Sequence, residues 1–178
     1  MIKPISISLS PNTESDDVRL AFHLLFQPWK WKRASSLENA EFESLYGLDG
    51  SEELEYRFRE RLGLKYSFAF NSGRSAFLAI LESLGLKEGD EVLLQAFTCN
   101  AVPNPVIWAG LKPVYVDCNE DDFNIDSKDL EHKITPKSKV VVVQHTFGLP
   151  ADLDTVMEIC SKHNLILVED CAHALGAM

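Results

Sequence analysis

The sequence predicts an α/β domain built on a mostly parallel sheet flanked by helices, and two observations carry that prediction. From Tyr66 onward, short apolar runs alternate with stretches of helical spacing, and one run, Val140 to Val143, is apolar without interruption. Strand–helix–strand repetition lays parallel strands beneath covering helices. A strand covered on both faces loses the polar alternation of a half-exposed one.

Taken in order, the chain begins differently from how it continues. Residues 16–25 and 51–62 have helical spacing and charged faces, with Ser51 followed by Glu53 and Leu54 suggesting a capped start. Between them, QPWKWKRAS, centred on Trp29 and Trp31, reads as a surface arm or a subunit contact. Residues 1–50 are therefore expected to form an amino-terminal helical arm, and residues 51–178 the α/β part. Strands are expected at 66–70, 91–96, 113–117, 139–144 and 165–169, and helices at 74–84, 101–109, 127–133 and 151–163.

Composition narrows the function classes. The 178 residues are 46% hydrophobic and 25% charged, enough for one domain with a real core. A net charge of -10 disfavours nucleic-acid binding, which needs lysine and arginine to neutralise phosphates. The start, MIKPISISLSPNTESDD, lacks the apolar core of a signal peptide, and no run reaches the length of a membrane span. Cys99, Cys118, Cys160 and Cys171 share no metal-type spacing and read as free thiols, with the cytoplasm as the expected compartment. Asp117, Asn119 and Asp121 imitate the start of a calcium loop, but Asp122 replaces its glycine and Lys128 its final glutamate.

Ligands of such sheets bind beyond the carboxyl ends of the strands. Several segments fall there. Asn71-Ser72-Gly73-Arg74-Ser75 offers a capping serine, a glycine that lets a ligand approach, and N–H groups at the positive end of a helix. The N–H groups of Gly73, Arg74 and Ser75 are expected to face outward toward a phosphate; an ordinary capped turn is the competing reading. Glu169-Asp170-Cys171-Ala172-His173 ends a strand with carboxylates, and one of these can keep a heterocyclic nitrogen protonated. Alternatively Asp170 caps a helix and His173 is a surface histidine. Ala96-Phe97-Thr98-Cys99-Asn100 could cover one face of a flat cofactor, or turn the chain with Phe97 in the core. His145, after the Val140 to Val143 run, opens at the same edge. No P-loop or dinucleotide glycine fingerprint is present, which leaves a nucleotide-binding dehydrogenase as a remote rival.

These segments, with LKEGDEVLLQAFT, AGLKPVYVD, FNIDSKDLEHKITPKSK, HTFGLPADLD and VEDCAHALGA in this order, resemble the DegT/StrS family of sugar aminotransferases. The likeness runs from about Leu54 to Met178. It implies the first part of the large domain of a type I pyridoxal-phosphate transferase, and with it pyridoxal 5′-phosphate as cofactor. It further implies that Gly73 and Arg74 hold the phosphate with Ser75 close by, that Asp170 pairs with the pyridine nitrogen, and that His173 lies near the ring's phenolic oxygen. Cys99 stands where many members stack an aromatic residue on the ring, Arg74 where many have threonine, and His145 matches a family histidine on the possible substrate side. The family's Schiff-base lysine lies beyond the last matching motif, so this chain alone is expected to be inactive. The parent protein would pass an amino group from an amino-acid donor to a keto-sugar nucleotide as a homodimer. A non-catalytic binding or regulatory fragment of the same fold is the alternative.

Overall fold

The computed structural model describes residues 50–175. The expected helix at 16–25, the Trp29 and Trp31 patch and most of the expected arm lie outside the described residues. The chain divides into two compact units, Met1–Ser67 and Phe68–Met178.

In the first unit, helix α1 spans Gly50–Leu62, so Ser51 lies inside it rather than capping it. Glu52 and Glu53 in its first turn and Arg59 and Arg61 in its last complement the helix dipole. Gly63, at φ 65°, ends it, and Leu64 N–H donates to the Arg59 carbonyl.

The second unit carries α2 (Gly73–Ser83), β1 (Glu91–Gln95), α3 (Pro103–Trp108), β2 (Lys112–Val116), α4 (Ser127–Lys133), β3 (Ser138–Gln144), α5 (Leu153–His163) and β4 (Ile166–Asp170). All four strands are parallel, in the order β2-β1-β3-β4. Each helix has a local reason to start. Ser72 caps α2, Asp126 caps α4, Asp152 caps α5, and α3 opens on a proline.

Side-chain alternation sends each strand to two cores. Val92, Leu94, Val140 and Val142 pack with Leu81 of α2 and Val106 of α3. Leu93, Val116, Val141 and Val143 pack with Leu130 of α4 and with Val156 and Ile159 of α5. β1 is buried at every position and β3 nearly so, which explains the apolar runs at 92–94 and 140–143. No helix among the described residues is long and apolar enough to cross a membrane.

One expected strand is absent. Residues 66–70 pair with no strand among the described residues, and Tyr66, Phe68 and Phe70 are all exposed. Alternating aromatics satisfy the sequence pattern of a strand, but a strand exists only where a neighbour supplies a ladder of hydrogen bonds.

Candidate functional site

The strand order places a crevice. The chain leaves β1 toward β2 on one side and returns past β1 to β3 on the other, so the order reverses between β1 and β3. Beyond the carboxyl ends at such a reversal is where open α/β sheets bind ligands.

Helix α2 covers the sheet face that includes Val92, Leu94 and Val142. A helix that packs on this face and feeds the amino end of β1 must run back along the strands. Its own amino end, Ser72 to Ser75, therefore lies toward the carboxyl edge. Ser72 Oγ accepts the Ser75 N–H at 3.2 Å and lies 2.9 Å from Ser75 Oγ. The Ser75 N–H is thus consumed by the cap, which corrects the expectation of three outward N–H groups. Those of Gly73 and Arg74 keep no acceptor within the helix. A Cβ on Gly73 would meet no protein atom within 4 Å.

At the end of β4, alternation separates two neighbouring carboxylates. Val168 packs on the α2 and α3 side, and Leu167 on the α4 and α5 side. Asp170 therefore shares the face of α2 and Glu169 takes the other. Asp170 Oδ2 accepts the Gln144 Nε2–H at 3.1 Å, and its Oδ1 accepts the Ala172 N–H at 3.0 Å. Asp170 caps no helix among the described residues.

On the opposite face, His145 is buried and both its ring nitrogens are engaged. Nδ1 accepts the Ala151 N–H at 3.0 Å, which leaves the proton on Nε2 to be donated to Glu169 Oε1 at 2.7 Å. Cys171 also lies against Glu169, and burial first, then that carboxylate, pushes its thiol up to about 11. The donor atoms of His145, Glu169 and Cys171 lie within 4.8 Å of one another. With Nδ1 held as an acceptor, Nε2 carries the hydrogen and has no lone pair for a cation. The trio is a hydrogen-bonded brace between β3 and β4.

Cys99 lies exposed in the turn after β1, and His173 lies exposed after β4. The turn at Thr146–Gly148 runs against the His173 backbone, because a Cβ on Gly148 would come within 3.2 Å of the His173 carbonyl oxygen. Chain order and strand alternation put α2 and Asp170 on the same side of the sheet. His145 belongs to the opposite face.

Sequence reasoning missed Gln95 and Gln144. Gln95 Nε2 donates to Thr146 Oγ1 at 2.7 Å, to the Phe97 carbonyl at 3.1 Å and to the Phe123 carbonyl at 3.3 Å. This single buried amide gathers three loops. Phe97, Phe123 and Phe147 cluster beside it with ring centroids 5.3 to 6.4 Å apart. Phe97 is exposed there rather than in the core. Phe123 and Phe147 both hold left-handed backbones, at φ 59° and 54°. The signal that could have found both glutamines is a polar amide ending an otherwise apolar strand, LLQ and VVVVQ.

Comparison with known proteins matches residues 36–178 to the DegT/DnrJ/EryC1/StrS aminotransferase family. GDP-perosamine synthase of Caulobacter vibrioides is 38% identical over 125 residues, covering 70% of this chain and 34% of that protein. The aminotransferase from Psychrobacter cryohalolentis superposes with a TM-score of 0.73 at 28% identity, over 96% of this chain and 40% of that one. GDP-4-keto-6-deoxymannose-3-dehydratase, solved with a trapped PLP-glutamate geminal diamine, superposes at 0.69 with 27% identity, over 74% of this chain and 36% of that one. The chain spans about one third of the length of the curated relatives it matches. Its sheet is that of the type I pyridoxal-phosphate aminotransferase fold.

Proposed function

Because the chain belongs to the DegT/DnrJ/EryC1/StrS aminotransferase family, we propose that it supplies the pyridoxal 5′-phosphate cradle of an enzyme that aminates a keto-sugar nucleotide. The observation that carries this reading is the pairing of two features on one face and edge. They are a helix start with open N–H groups at Gly73 and Arg74, and a carboxylate, Asp170, held by one donor on each oxygen. They fit the two polar ends of this cofactor, an anionic phosphate and a ring nitrogen that must stay protonated.

Gly73 and Arg74 bind the phosphate through their N–H groups, and Ser75 completes the turn through its hydroxyl. Asp170 pairs with the ring nitrogen and keeps its proton in place. His173 donates to the phenolic oxygen. Cys99 borders the ring face without the stacking area of an aromatic residue. His145 acts through the strand ends rather than by touching the substrate. When bound, the cofactor serves as an electron sink for charge developing at a substrate carbon.

The sugar-nucleotide assignment draws on relatives named for GDP-perosamine and GDP-4-keto-6-deoxymannose. An amino-acid donor, homodimer assembly and a cytoplasmic setting belong to the same proposal, as does the division into an amino-terminal arm and a cofactor-binding part.

A titration of the chain with pyridoxal 5′-phosphate, read by absorbance, tests the cradle. Saturable binding is expected, with about a tenfold or greater loss in Asp170→Asn and in phosphate-free pyridoxal, the scale of one charged hydrogen bond. Equal affinity of Asp170→Asn and the parent chain would overturn the assignment.

A further inference from the structure

β4 is the outer strand of the sheet among the described residues, and β3 alone borders it. Whatever fixes the end of β4 on the sheet side must therefore come from β3. The register sets Gln144 beside Asp170 and Val143 beside Glu169. Gln144 Nε2–H donates to Asp170 on one face, and the next residue, His145, donates to Glu169 on the other. Gln144, the last residue of β3, and His145, the next in the chain, thus hold two consecutive residues of β4, with one bond on each face.

The Gln144 amide has a defined sense. Its Oε1 is buried without a donor, and turning the group over would set that oxygen against the Asp170 carboxylate. With Ala172 N–H on Oδ1 and Gln144 on Oδ2, the plane of the carboxylate is fixed at both oxygens. The remaining lone pairs are left for a partner beyond the sheet edge.

We propose that Gln144 is a positioning residue. It acts through Asp170 to aim that carboxylate at the ring nitrogen of pyridoxal 5′-phosphate, while the His145–Glu169 pair braces the same strand end from the opposite face. The proposal rests on the reading of Asp170 given above. Gln144 touches neither cofactor nor substrate. Its removal deletes one charge-assisted hydrogen bond and one buried orphan acceptor, two contributions of similar size and opposite sign. Fold stability should consequently change little while binding changes.

Two measurements separate this from a packing role. In the free chain, the side-chain amide resonance of Gln144 should carry the downfield shift of a hydrogen-bonded amide and should move in Asp170→Ala, which removes its acceptor. In pyridoxal 5′-phosphate titrations, Gln144→Leu should bind roughly threefold to tenfold more weakly near neutral pH. The midpoint of thermal unfolding should be nearly unchanged. Gln144→Glu, of equal size, should lose more, because it sets a second carboxylate beside the first. A silent amide resonance would overturn the proposal. So would parent-like affinity in both Gln144 variants while Asp170→Asn fails to bind. If instead Asp170→Asn binds normally, the cofactor assignment itself falls, and the amide resonance still reports whether the clamp exists.

Discussion

The two edges of the sheet are built from the same strands and are held in opposite ways. At the amino edge Glu91 is 4% exposed and fully occupied. Its Oε2 accepts the Thr135 hydroxyl at 2.5 Å and the Ser138 hydroxyl at 3.2 Å, its Oε1 accepts Lys112 Nζ at 3.0 Å, and its N–H reaches the Lys137 carbonyl. At the carboxyl edge Gln95 and Gln144 each bury an amide oxygen without a donor, and Phe123 and Phe147 hold left-handed backbones. The third such buried atom among the described residues, His163 Nε2, has the Glu131 carboxylate 3.5 Å away. Each orphan costs about 1–3 kcal/mol, and each left-handed aromatic a similar amount. One end of the sheet carries stability, and the other spends it at the edge proposed to bind the cofactor.

The strongest way to break the comparison is to break the satisfied edge. Glu91→Ala strands two hydroxyls and opens a cavity, so it should lose about 2–4 kcal/mol in urea unfolding. Gln144→Leu at the other edge should lose far less. Acid should find the same pin. The Thr135 hydroxyl, helped by Lys112 and Ser138 against the opposing effect of burial, holds the Glu91 carboxyl below its usual 4.5. A lowered folded value means that the contribution of Glu91 to stability is complete above about 4.5 and is lost as pH falls through the lower value. Glu91→Gln should flatten that acid limb in a pH series of unfolding curves.

The same contrast explains what the sequence could disclose. The buried strands were legible because two-sided burial writes an apolar run, as in Val140 to Val143, and the cap at Ser72 was legible as a type that accepts N–H bonds. The 66–70 strand was misread because pairing depends on a neighbour and not on alternation. The left-handed Phe123 and Phe147 were invisible, since phenylalanine is no turn residue and the bonds that fix the path there run across the fold, from Gln95 and between Asn124 and Thr146. That Asp170 and Glu169 serve opposite faces could have been read from the period of a strand alone. Which face mattered could not, because α2 must first be placed.

Between these extremes lies the brace on the far face. At pH 8, Cys171 should be alkylated roughly a hundredfold more slowly than an ordinary thiol, because its value near 11 leaves little thiolate. Burial is the leading cause and Glu169 the next. Glu169→Gln should therefore speed the reaction several-fold without bringing it to the ordinary rate. Peptide mass analysis of a timed iodoacetamide reaction would read this, with exposed Cys99 as the internal standard. An unchanged rate would show that Glu169 does not face the thiol, and the brace would be lost with it.

The smallest effect on stability should come from the position with the largest freedom. Gly73 has no positive φ, and a Cβ there meets no protein atom within 4 Å. Nothing in the described fold requires glycine. Gly73→Ala should leave unfolding unchanged or improve it by a few tenths of a kcal/mol, since alanine loses less entropy in a helix. If the open N–H groups serve a phosphate, however, the added methyl stands where that phosphate must approach, and pyridoxal 5′-phosphate affinity should fall while affinity for phosphate-free pyridoxal stays level. A glycine that is neutral for the fold and costly for one anionic ligand belongs to the binding edge. One that is neutral for both would make the start of α2 an ordinary capped helix, and the two edges would then differ in stability alone.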